Sequence, residues 1–118
     1  MTDGNRANRA LPHHKLVAWQ VAVELLQAVA RCEVRDAALR QQALRAAKSC
    51  CLNIAEAAGR GSAADRARVF LIARGECTEA AAAVEIALLA GDAAAEPATE
   101  VARLADHAYA LLTGLVRL

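Results

Sequence analysis

At 118 residues the chain has the length of one domain, enough to bury a core if its elements pack together. Hydrophobic residues make up 57% of it and aromatics only 3%, so the apolar share is mostly Ala, Leu and Val, which favours helices over strands. The net charge of +1 hides an asymmetry: residues 31–74 hold nine Lys or Arg against four acids (+5), and residues 75–118 hold two Arg against seven acids (−5).

Residues 1–12 mix Asp, Gly, Asn and Arg and end at Pro12, which predicts a flexible arm over 1–13 ahead of a bundle domain over 14–118. The opening Met-Thr-Asp-Gly-Asn-Arg is polar and no apolar h-region follows it, so a reduced, cytoplasmic protein is the expectation. No charge-free apolar run approaches the roughly 18 residues that a spanning helix needs, so no membrane contact is expected. His13 and His14 read as a solvated helix start without a role, because their spacing is not that of a zinc site.

Two adjacent stripes, Leu16, Trp19, Val23, Leu26, Ala30 and Ala18, Ala22, Leu25, Val29, repeat at three and four residues and predict a first helix over about Lys15–Cys32. Glu33 to Asp36 interrupt it with three charges, and Asp36 is a suitable N-cap for a second helix over about Ala37–Ala58, stopped by Gly59 and Gly61. Ser62 with Asp65 resembles a capping box opening a third helix, about Ala63–Ala90, whose core stripe is Phe70, Ala73, Cys77, Ala80, Val84, Ala87 and Leu88. Gly75 sits inside that helix at a cost near 1 kcal/mol relative to Ala, and close approach of another helix is its expected reason. A last helix, about Pro97–Val116, presents Val101, Leu104, Ala105, Ala108, Leu111, Leu112 and Leu115. Four helices joined by short loops predict an all-α, antiparallel up-down-up-down four-helix bundle. Alanine-lined interfaces bury little area per residue, at about 25 cal/mol per Å², and association with other copies would compensate.

Catalytic patterns are absent: there is no phosphate-binding glycine loop, no H-E-x-x-H, no G-x-S-x-G and no Glu-x-x-His pair, so no enzyme and no cofactor are expected. Cys32, Cys50, Cys51 and Cys77 lack metal-binding spacing and read as small apolar residues, so no metal site is assigned. One polar pattern stands out. On a helix at about 100° per residue, Arg45, Ser49, Asn53, Glu56 and Arg60 fall within an arc of roughly 80°, opposite Leu39, Ala43, Ala47, Cys50, Cys51, Ile54 and Ala58. Glu56 and Arg60 have the favourable i,i+4 order for an ion pair, whereas Asn53 is a poor mid-helix residue that needs another reason. Periodicity leaves three readings open: a solvated face, a buried polar seam between helices or subunits, or a ligand or nucleic-acid contact.

Those residues also carry a resemblance. Leu44-Arg45-Ala46-Ala47, Ser49, Asn53-Ile54-Ala55-Glu56 and Gly59-Arg60 resemble the signature of the bacterial four-helix-bundle proteins encoded in 23S rRNA intervening sequences, a family related to the accessory variability proteins of diversity-generating retroelements. Lys15-Leu16-Val17-Ala18-Trp19-Gln20 resembles that family's first-helix start, and Phe70-Leu71-Ile72-Ala73 with Gly75 its third-helix motif. The chain departs from the pattern at Ala57, where the family commonly has Gly, and keeps only Glu79 of an acidic pair after Gly75. The resemblance implies a ring-like homopentamer. For the retroelement relatives it implies nucleic-acid binding beside a reverse transcriptase; those relatives are strongly basic and this chain is nearly neutral, which weakens an RNA or DNA role unless assembly gathers the basic segments on one surface.

Two functional readings follow. The first is a non-enzymatic, homo-oligomeric scaffold or accessory protein, with Arg45, Lys48, Arg60, Arg66, Arg68 and Arg74 as candidate nucleic-acid contacts. The second is a purely structural interaction module in which helix-two arginines meet helix-three or helix-four acids across a subunit interface. In both, the helix-two stripe is a polar seam whose groups are satisfied within the protein, with Glu79 as a candidate partner from the third helix.

Overall fold

A computed structural model describes residues 11–117 of the chain; of the expected arm over 1–13, residues 1–10 lie outside the described residues, as does Leu118. A 3-10 turn, Pro12–Lys15, leads into four helices: α1, Val17–Cys32; α2, Ala37–Ala58; α3, Ala63–Leu89; and α4, Ala95–Val116. The boundaries follow local chemistry. Ser62 caps α3 by accepting the Asp65 amide at 3.1 Å. Asp36 occupies the N-cap of α2 without a side-chain cap bond, and its carbonyl accepts the Arg40 amide at 2.9 Å. Gly91 ends α3 in the left-handed region at φ 83°, which spares a side chain the steric cost, and the next amide, Asp92, returns to the Ala87 carbonyl at 2.7 Å. α4 begins two residues earlier than Pro97, at Ala95, so the proline lies in the first turn, where its missing N–H leaves no acceptor unpaired.

Each helix packs on its sequence neighbours, α2 most extensively on α3, and α1 closes the ring against α4. In two of these pairs, α2 with α3 and α3 with α4, the contacts run in opposite senses along the helices. Gln42 reaches Glu79 whereas Cys50 reaches Cys77; Arg74 reaches Thr113 whereas Cys77 reaches the Ala105 carbonyl. Two loops meet at one end, where the Arg35 amide donates to the Asp92 carbonyl at 2.8 Å and the Arg35 guanidinium to the Gly91 carbonyl.

The core is apolar, and among the described residues no polar or charged residue is fully buried. Leu25, Ile54, Val69, Val84, Val101 and Leu112 are its largest enclosed aliphatic side chains, with much of the remainder Ala. In α1 the stripe of Ala18, Ala22, Leu25 and Val29 is buried, and Leu16, Trp19, Val23 and Leu26 pack half-buried around it. His13 and His14 are not free in solvent: both are half-buried, with the His13 ring 4.5 Å from Trp19 in an edge arrangement and 4.2 Å from His14. Lost hydration first, and the neighbouring His14 second, hold His13 below its ordinary pKa. All four cysteines are buried and free. Burial raises Cys51 to about 11, and the hydrogen bond with Cys77, reinforced by burial, pushes the Cys50 thiol up, so these thiols sit as neutral apolar groups.

Candidate functional site

The helix-two stripe lies on the rim of the seam between α2 and α3. Ser49, Asn53 and Arg60 are half-buried and Arg45 and Glu56 are exposed, because the arc covers the shoulder of α2 rather than its buried side. Asn53 is satisfied within its own helix: its amide donates to the Ser49 carbonyl at 2.9 Å and to the Ser49 hydroxyl at 3.1 Å. Arg60 is a hub at the turn into α3. It meets Glu56 at 2.6 Å and Asp65 at 3.0 Å, and Asp65 also holds Arg68 at 2.9 Å. The Arg68 hydrogen bond, with the Arg60 charge, keeps the Asp65 carboxyl below the usual carboxylate range. Glu79 bonds Gln42 and none of the five stripe residues, so Gln42 makes the interhelical contact. Gln42 falls on the same shoulder, one turn before Arg45; reading the stripe from Arg45 onward passed over it.

The six candidate nucleic-acid contacts do not form one surface. Arg60 and Arg68 are engaged by acids. Arg66 donates to the Arg60 carbonyl at 3.1 Å. Arg74 turns the other way, toward α4, where it donates to the Thr113 hydroxyl at 3.1 Å and its guanidinium carbon stands 4.9 Å from the centre of the Tyr109 ring. Arg45 and Lys48 alone are exposed without an ion pair or side-chain hydrogen bond among the described residues.

Sequence periodicity passed over the outer side of α2 and α3. Leu52 is 70% exposed and Leu89 79%, and Leu71, Ile72 and Ile86 are each more than two-fifths exposed. Gly75 lies among them; a Cβ built there would meet nothing within 4 Å, so no helix of the same chain approaches it, contrary to the sequence expectation. A groove of about 450 Å³ runs beside this face between α3 and α4, floored by Ala81, Ala102 and Ala105 and edged by Glu85, Asp106 and Tyr109. The signal for this face was present in the sequence, since Leu71, Ile72, Ile86 and Leu89 fall off the core stripe of α3.

Among the described residues no group of three or more His, Cys, Asp or Glu is placed to hold a metal ion, and no helix is long and apolar enough to cross a membrane. The chain's sequence matches a family model described as 23S rRNA-intervening sequence protein over residues 14–114. None of the curated proteins compared with it matches.

Proposed function

We infer that this chain, which belongs to the 23S rRNA-intervening sequence protein family, works without catalysis as a homo-oligomeric helical scaffold that acts through protein–protein contacts. The observation that supports this reading is the apolar outer face of α3, where Leu71, Ile72, Ile86 and Leu89 stand in water while the inner face of the same helix is already packed. Exposed large apolar side chains beyond those a packed face needs mark interaction sites in soluble proteins; here they form two pairs about 21 Å apart along one side of α3. Light scattering on the purified chain and on a Leu71→Gln/Ile86→Gln variant tests it. The expected result is a multimer for the parent chain and a lower mass for the variant with its helical content intact; equal masses would sink the reading.

A second reading, RNA or DNA association, draws on Arg45 and Lys48, which are exposed on α2 with no ion pair among the described residues. Phosphate contacts weaken as salt rises, so a binding titration from low to moderate salt decides it. Absence of binding at the lowest salt removes the nucleic-acid role.

A further inference from the structure

We propose that the turn Pro12–Lys15 is an acid-released clasp: the neutral rings of His13 and His14 hold it against Trp19 at the start of α1, and protonation frees it. The clasp belongs to the single chain and works whether or not copies assemble.

Rings, not backbone, fasten the turn. Among the described residues its backbone hydrogen bonds stay local, with the His14 amide donating to the Leu11 carbonyl at 3.2 Å and the Leu16 amide to the His13 carbonyl at 3.0 Å. The turn nevertheless packs on both α1 and α2. His13 and His14 lie 4.2 Å apart between ring centroids, and Trp19 meets both edge-on, at 4.5 Å and 6.2 Å. The indole is half-buried beneath them.

A proton on either ring finds no compensation there. One nitrogen of a neutral imidazole donates and the other accepts, whereas a charged ring has two donors. His14 Nδ1 is buried without a hydrogen-bond partner, the one side-chain nitrogen or oxygen so placed among the described residues. Charging His14 therefore leaves an N–H where nothing accepts it, and a buried unsatisfied donor is costly. No carboxylate offsets that cost. Glu24, the only acid of α1, acts on Arg103 of α4. Glu56, the only acid of α2, is held by Arg60 at 2.6 Å. Lys15, Arg31, Arg40, Arg45 and Lys48, the remaining charges of the turn and the two helices, share the sign of a protonated histidine. The buried thiols of Cys32, Cys50 and Cys51 stay neutral. Lost hydration, and then His14, accordingly hold His13 below its ordinary pKa.

Once the turn lets go, both rings return to water, where histidine titrates near about pH 6.5. The released state then binds protons that the clasped state excludes. The clasp is therefore closed above about pH 6.5, and below it the closed-to-open ratio falls up to about tenfold per pH unit for each histidine kept neutral. Release bares the indole of Trp19.

Trp19 is the only tryptophan of the chain and reports on the clasp directly. Its emission and its quenching by acrylamide are followed in the parent chain from about pH 8 to about pH 5, with circular dichroism alongside. The expected result is a red shift and greater quencher access, with a midpoint at or below about pH 6.5 and unchanged helical content. His13→Gln/His14→Gln removes both titrating rings and should give a flat profile. His13→Gln alone keeps one ring and should give a shallower transition than the parent. His107→Gln removes the remaining histidine and should keep the parent transition. Constant quencher access in the parent overturns the clasp even where emission intensity changes, because the rings then titrate in place. Loss of helix over the same range in the parent overturns it, as does a transition that persists in the double variant or vanishes in His107→Gln. An unchanged slope in His13→Gln overturns the pairing of the two rings.

Discussion

The two walls of the bundle solve the same packing problem differently. α1 separates its faces cleanly: Val21, Leu25, Ala28 and Val29 are buried, and Gln20, Glu24, Gln27 and Arg31 face water. α3 buries Val69, Phe70, Ala73, Cys77, Ala80 and Val84, yet leaves Leu71, Ile72, Ile86 and Leu89 exposed on its other side. One buried face and its rim account for the apolar residues of α1 apart from Val17 at its first turn and Ala30, and for only part of those of α3. An isolated domain gains nothing from four large aliphatic side chains in water, so the excess marks the wall that the proposed assembly would cover.

Core truncation gives the largest effect and sets the reference for this comparison. Leu25→Ala or Leu112→Ala removes a fully enclosed side chain from an alanine-rich core with little capacity to collapse, and should cost about 2–5 kcal/mol in denaturant unfolding. Leu71→Ala or Leu89→Ala should cost the dissociated chain less than about 0.5 kcal/mol, while lowering the assembled fraction. Comparable losses at both walls would erase the distinction.

Gly75 sharpens it further. In the dissociated chain Gly75→Ala should stabilise by roughly 0.5–1 kcal/mol, because the new Cβ meets nothing and the helix loses a flexible residue. If α3 is an interface, the gain in thermal unfolding comes with weaker association, and the two are separated by repeating the melt across protein concentrations.

Asn53→Ala comes next. Its amide bonds only Ser49 of the same helix, a contribution of about 1 kcal/mol that the better helix propensity of Ala partly offsets. The net loss should stay below about 1 kcal/mol in chemical denaturation, with no change in mass.

The smallest effect is electrostatic. Asp65 titrates below its ordinary value in the folded chain, so its contribution is present above the unfolded carboxyl pKa of about 4 and is lost as pH falls through the lower folded value. Unfolding followed from pH 6 downward should therefore show stability declining below about pH 4. Asp65→Asn should flatten part of that decline. An identical acid limb in the variant would remove the Arg60 hub from the account.

The fold was largely legible because the apolar repeat and the capping signals agree: Ser62 with Asp65 and the glycine at 91 bound α3 to within a residue of expectation. The polar stripe was legible as a pattern and not as a set of partners. Helical spacing places Arg60 beside Glu56, but only the turn into α3 brings in Asp65, and only the register of α2 against α3 pairs Gln42 with Glu79. Arg74 was grouped with the helix-two cations by sequence distance and charge, whereas its position on α3 points it at Tyr109 on α4. Gly75 was misread for a related reason: a small residue permits a close approach without requiring one, and nothing comes within 4 Å of a Cβ built there.

Sedimentation velocity of the unaltered chain across a wide concentration range at low salt tests the central claim most directly. The account predicts a species whose mass is a multiple of 12.4 kDa, persisting on dilution. A single 12.4 kDa species at every concentration would contradict it.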